Sequence, residues 1–133
     1  MASGRPDYWY GMLPGHSVSG VNQTDWLEEG YKDIAANDQV EIINYTVPAD
    51  YILYITNGIV SGEGNSMSRV TISLSGPVSF SVWFNQVYNF PAILPGSFTV
   101  EAGDNFQVVI HNKDNVTVLY YAAFMGFLEY KIV

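Results

Sequence analysis

Residues 69–84 read RVTISLSGPVSFSVWF, two runs in which every second residue is apolar, parted by Gly-Pro. A period of two places Val70, Ile72 and Leu74 on one side of a strand, with Arg69, Thr71 and Ser73 on the other. The second run turns Val78, Phe80, Val82 and Phe84 inward, and Gly76-Pro77 supplies the turn between them. Neither run offers the 3.6-residue spacing that a helix needs to bury one face. The same grammar governs the chain from residue 39 onward. QVEIINYTV (39–47) is rich in β-branched residues and stops at Pro48. YILYITNGIVS (51–61) is apolar on both faces, as an interior strand should be. SFTVEAGDNFQVVIHN (97–112) is a strand, a turn at Ala102-Gly103-Asp104-Asn105, and a second strand with Phe106, Val108 and Ile110 on one face. VTVLYYAAFMGFLEYKI (116–132) would run about 50 Å if unbroken, so a bulge or bend is expected near Gly126. NQVYNFPAILPGS (85–97) carries two prolines and reads as an edge passage.

TDWLEEGYKDIAAND (24–38) admits two readings. Leu27, Tyr31 and Ile34 fit a helical stripe, with Asp25 and Glu28 resembling a capping box. Gly30 tips the balance toward a strand. About eight strands then follow one another with turn signals roughly every 8–12 residues, and no helical segment separates them. The expected fold is all-β, an antiparallel β-sandwich. The jelly-roll type is preferred for its strand count and because the Cys…Trp…Cys spacing of immunoglobulin domains is missing. Gly4, Pro6, Gly11, Pro14, Gly15 and Gly20 break every element in the first stretch. Residues 1–24 are therefore expected to be an extended N-terminal arm, and 25–133 the β-sandwich domain.

The 133 residues suit one core, and 48% of them are hydrophobic. Only 14% are charged, against about 25% in an ordinary domain. A surface so short of charge exposes Ser, Thr, Asn, Tyr and apolar groups, which suits surfaces covered by partners. The net charge is -8 and the five basic residues, Arg5, Lys32, Arg69, Lys113 and Lys131, are scattered. That argues against nucleic acid, whose phosphates need clustered cations, and against an anionic membrane surface. The apolar stretch 116–128 is shorter than the roughly 20 residues a transmembrane helix needs. No basic and apolar leader pattern opens the chain, so export is not expected, and the N-x-S/T triplets at Asn22, Asn44 and Asn115 are read as chance.

The residues for chemistry are few. The chain has no cysteine and two histidines, His16 in the arm and His111 at a strand end. These make no metal cluster, and no G-x-S-x-G elbow is present. Glu28 and Glu29 are adjacent, so on a strand they point to opposite faces and cannot work as a pair. Asp104 reads as a solvated turn residue. The glycines of SGEGNS (61–66) and EAGDN (101–105) lack phosphate-loop or EF-hand spacing and read as turns. The expectation is a protein that is not an enzyme and needs no cofactor or metal.

The aromatics carry more. Three tryptophans and ten tyrosines exceed what a small core can bury, and both residue types suit interfaces. Tyr45, Tyr51, Tyr54, Tyr88, Tyr120, Tyr121 and Tyr130 fall on strands, mostly as residues at the core's margin. Trp83 lies opposite Phe80, flanked by Ser79 and Ser81, as either a subunit anchor or a ring on which a sugar stacks. PDYWYGMLPG (6–15) cannot pack into regular structure of its own. Its Tyr8, Trp9, Tyr10, Met12 and Leu13, with Trp26 downstream, are expected to contact a partner.

Three turns support a resemblance. Val47-Pro48-Ala49 opens an apolar strand, Ala102-Gly103-Asp104 precedes the penultimate strand, and the last strand ends near Gly126-Phe127-Leu128-Glu129. With the aromatic start PDYWYGMLPG, this pattern resembles small jelly-roll structural proteins of tailed bacteriophage particles, over residues 6–131. It departs at Ala49-Asp50, where a glycine is commoner after the alanine. The resemblance implies a decoration, or cement, protein made in the host cytoplasm and docked on the phage head. Its implied partners are the major capsid protein or neighbouring virion subunits, and it would often be a homotrimer. A place at the head-tail junction is a further implication. A carbohydrate-binding module for host-surface glycans is the rival reading.

Overall fold

The computed structural model describes residues 22–65, 67–75, 78–90 and 98–131. The expected arm contacts at Tyr8, Trp9, Tyr10, Met12 and Leu13, together with His16, lie outside the described residues. Among the described residues nine strands follow in order: β1 Gln23–Ile34, β2 Gln39–Thr46, β3 Tyr51–Gly62, β4 Ser68–Ser73, β5 Ser79–Phe84, β6 Val87–Phe90, β7 Thr99–Val100, β8 Asn105–His111 and β9 Val118–Tyr130. They form two sheets, one ordered β1-β9-β3-β6 with β7 also on β3, the other β2-β8-β4-β5. Every pairing is antiparallel. The expected all-β class with two antiparallel sheets is what the chain forms. The stretch 24–38 resolves as strand as far as Ile34, followed by a turn in which Asp38 N donates to Ala35 O, and Gln23 and Thr24, assigned to the arm from sequence, already pair with Glu129 and Leu128 in β1.

The core is the apolar alternation of both sheets meeting in the middle. Leu53 and Val60 of β3 and Phe124 of β9 face Val70, Ile72, Phe106, Val108 and Ile110 of the other sheet, all fully buried. The inward set read from residues 78–84 holds for Phe80, Val82 and Phe84, while Val78, just ahead of β5, stays 54% exposed.

Two of the turns singled out in the sequence close, while Gly76-Pro77 lies outside the described residues. Asp104 N donates to Glu101 O at 3.0 Å, with Gly103 at φ 84. That positive φ at the third position is the type II geometry that glycine favours. Tyr51 N donates to Pro48 O at 3.2 Å, with Asp50 at φ 69 in the equivalent place. The chain keeps the same turn without glycine there, because a short polar side chain tolerates the left-handed region better than most. The two turns lock together: Val47 N donates to Asp104 O and Gly103 N to Val47 O.

The long strand β9 stays continuous, and the expected bulge at Gly126 lies on its partner. Gly126 pairs with Ile55 and Met125 with Asn57, leaving Thr56 of β3 as the extra residue. Thr56 Oγ1 donates to Met125 O at 3.2 Å. The bulged backbone crowds its neighbour so closely that a Cβ on Gly126 would overlap the Tyr54 carbonyl oxygen. A second bulge in β2, between Glu41 and Ile43, lets Ile42 and Ile43 both face inward.

Candidate functional site

A sheet with one face on the core normally turns polar residues to water on the other. The β1-β9-β3-β6 sheet does not. Register places Leu27 beside Met125, Tyr31 beside Tyr121, and Ile59 beside Ala123 on its outer face. Leu27 is 54%, Tyr31 71% and Met125 42% exposed. Hollows of about 380 Å³ lie on either side of Met125, one bordered by Asp25, Leu27 and Thr56, the other by Asn57, Ile59 and Asn89. Tyr54 stacks on Phe127 at 5.0 Å to continue the apolar band toward the far end. Carboxylates rim it: Asp25, Glu29 and Asp33 stand on the outward positions of β1. Tyr121 Oη donates to Glu29 Oε1 at 2.8 Å, and that bond leads in raising the phenol's pKa above its ordinary value.

The outer face of β2-β8-β4-β5 is the opposite in character. Asn44, Thr46, Asn105, Gln107, Thr71, Ser73, Ser79 and Ser81 make a floor of hydroxyls and amides. They bond one another: Thr71 Oγ1 and Ser81 Oγ are 2.8 Å apart, and Asn105 Nδ2 donates to Asn44 Oδ1 at 2.8 Å. One row crosses all four strands, Gln39–His111–Arg69–Trp83. At its end Trp83 is 50% exposed. The Arg69 guanidinium and the Lys113 ammonium each lie 5.8 Å from the centre of its ring.

A third group is internal. Asn112, fully buried, donates from Nδ2 to Ile34 O at 2.8 Å and to Val116 O at 2.9 Å. Its Oδ1 accepts from Asp114 N at 2.8 Å and Tyr120 Oη at 3.1 Å. Tyr120 Oη also shares a 2.6 Å hydrogen bond with Ser68 Oγ. Burial raises the Tyr120 pKa, and the nearby Asp114 charge adds to this against the lowering effect of the Ser68 bond. This cluster seals one end of the sandwich by tying the end of β1 to β8 and β9. Sequence reasoning passed over it. The signal available was an Asn two residues ahead of an Asp, the pattern of an Asx turn.

The remaining expected site residues divide cleanly. Trp83 faces outward, as its flanking serines imply. Trp26 does not: it is 6% exposed and sits edge-on to Tyr45 at 5.4 Å and Phe106 at 5.8 Å. An inward position on β1 commits its ring to the chain's own core, so it is not available to a partner. His111 points away from the core, with Nδ1 3.3 Å from Arg69 Nη2. Glu28 and Glu29 act on different sheets, Glu29 on Tyr121 and Glu28 on Tyr45, whose pKa is raised by burial first and by the Glu28 charge second. Among the described residues no three His, Asp or Glu side chains gather as a metal site would require. Comparison with protein-family models, with curated proteins and with solved structures gives no match to this chain.

Proposed function

We propose that this protein is a structural component of a phage particle, a capsid decoration protein that works by docking, with no bond made or broken. The single observation that carries the docking is the apolar band of Leu27, Tyr31, Tyr121, Ile59 and Met125 on an outer sheet face. Exposed apolar surface of this kind marks a contact surface when polar groups rim it. The acidic rim of Asp25, Glu29 and Asp33 selects a partner whose apolar patch is bordered by lysine or arginine. The strand order β1-β9-β3-β6 against β2-β8-β4-β5 supports a jelly-roll assignment, and the closed Pro48 and Gly103 turns fit the virion-protein resemblance. In this reading the aromatic residues 6–15 reach a neighbouring subunit or the capsid protein, and a trimer is the favoured assembly.

The test is co-sedimentation with empty phage heads stripped of this protein, with the solution mass measured in parallel. Leu27→Asp combined with Met125→Asp keeps the β-sheet circular dichroism, because both side chains point away from the core, and abolishes attachment. Retained attachment by the double variant would refute the assignment of this face. A wild-type chain that binds no heads would refute the decoration role itself.

A second reading, a carbohydrate-binding jelly roll, is favoured by a different observation: half-exposed Trp83 at the margin of a hydroxyl- and amide-rich sheet face.

A further inference from the structure

We infer that the corner formed by Trp83, Arg69, Lys113 and His111 is a binding site for an acidic sugar, a pyranose carrying a carboxylate. The inference rests on the carbohydrate-binding reading of Trp83 and is independent of the docking face on the other sheet. Its starting point is where the few cations stand. Of the basic residues described, Lys32, Arg69, Lys113 and Lys131, two converge on one indole ring, in a chain of net charge -8. The neighbouring acids are engaged elsewhere. Asp38 Oδ1 accepts from Gln39 N at 2.8 Å, and Glu41 Oε1 from Asn44 Nδ2 at 3.3 Å. Asp114 is buried, with its oxygens accepting from Asn65 N and Asn115 N.

The donors at this corner are underused. Arg69 is permanently protonated, so its Nη2 donates to His111 Nδ1 across 3.3 Å. A neutral imidazole accepting at Nδ1 carries its proton on Nε2, which gives the corner a further N–H donor. Arg69 Nε is buried and without a hydrogen-bond partner among the described residues, so an incoming carboxylate would meet the guanidinium at its Nη groups. A guanidinium fork matches a carboxylate, and an ammonium beside it adds charge without geometric demand. Trp83 supplies the other half of the recognition. An indole edge and face half open to water suit the C–H surface of a pyranose, as at mixed apolar and polar interfaces. Thr71 and Ser81 lie on the next row of the same face, positioned for ring hydroxyls. A neutral sugar would use the ring and the hydroxyls but gain nothing from the two cations.

Isothermal titration of the full chain separates the possibilities with five probes: oligogalacturonate, its methyl-esterified neutral form, 3′-sialyllactose, lactose, and inorganic phosphate. The expected result is binding of a carboxylated sugar at least about tenfold tighter than its neutral counterpart, the scale of a charge-assisted hydrogen bond. Added salt weakens that preference. Trp83→Ala and, separately, Lys113→Gln each lose most of it; both side chains are exposed, so retained circular dichroism certifies the fold. Equal affinity for acidic and neutral sugars overturns the acidic specificity while leaving a glycan site. Binding that survives Trp83→Ala, or binding of phosphate as tight as the sugar acid, overturns the site as drawn. No binding of any probe removes the glycan reading together with this inference.

Discussion

Replacing Asn112 by alanine tests how much of the sandwich depends on one buried amide. The side chain offers Nδ2 to Ile34 O at 2.8 Å and Val116 O at 2.9 Å, and takes hydrogen bonds from Asp114 N at 2.8 Å and Tyr120 Oη at 3.1 Å. Alanine removes these bonds and a fifth, from Nδ2 to Ala35 O at 3.3 Å, but the partners do not suffer equally. Val116 is 56% exposed, so water reaches its end of the loop. Tyr120 Oη retains Ser68 Oγ at 2.6 Å. Ile34 and Asp114 are buried, so the Ile34 carbonyl and the Asp114 amide bear the full loss. At about 1–3 kcal/mol for each stranded buried group, the expected destabilisation is about 2–6 kcal/mol. Against the roughly 5–15 kcal/mol that holds a typical domain folded, this is a large share. Tyr120→Phe is the internal comparison. It removes one hydroxyl and strands only Ser68 Oγ and part of the Asn112 acceptor, so about 1–2 kcal/mol is expected. Urea unfolding followed by tryptophan fluorescence measures both. An Asn112→Ala variant within about 1 kcal/mol of wild type would refute the reasoning, because the stranded groups would then have found water or new partners at no cost.

Two further outcomes follow from other residues. Gly126→Ala forces a methyl into the Tyr54 carbonyl across the β3 bulge, so a loss of at least about 1–3 kcal/mol is expected; an unchanged melting temperature would show that the bulge relaxes freely. Stability should also fall at alkaline pH. Burial holds the Tyr120 proton beyond the ordinary tyrosine range, so the unfolded chain ionises first, from about pH 10, and the folded state binds more protons there. The contribution is complete below that pH and is lost as pH climbs through the folded-state pKa. Tyr45 and Tyr54, raised mainly by burial, and Tyr121 act in the same direction. Urea midpoints between pH 8 and 11 should drop less steeply in Tyr120→Phe, and equal slopes would contradict the assignment.

The strands were readable wherever one face meets the core and the other meets water. Val70, Ile72 and Leu74 alternate with polar residues because β4 has water on its other side, so its period survives in the sequence. The same test is blind on β3 and β9. Both are apolar on both faces, and such a run looks identical whether its second face is covered or open. The outer band around Met125 therefore had no separate signature. Trp26 was misplaced for a related reason: the 24–38 stretch mixes charge and aromatics without clean alternation, so nothing local set its side. Trp83 was placed correctly because serines flank it in a regular run. Asn112 owes its role to partners as far as 78 residues away in the chain, a relation that no local pattern encodes. Asp50 shows the converse, a turn that persists after the residue expected for it has been exchanged.

Strand β1 ends its sheet, and among the described residues nothing pairs with its free side. The free side of this twelve-residue strand is a template on which another chain can add, the first step of filament growth. Asp25, Glu28, Glu29, Lys32 and Asp33 crowd this strand in a molecule otherwise sparing of charge. Two copies approaching side by side would bring four carboxylates against four, and the repulsion closes that route. The charge on this strand thus guards an edge that would otherwise invite ladder extension.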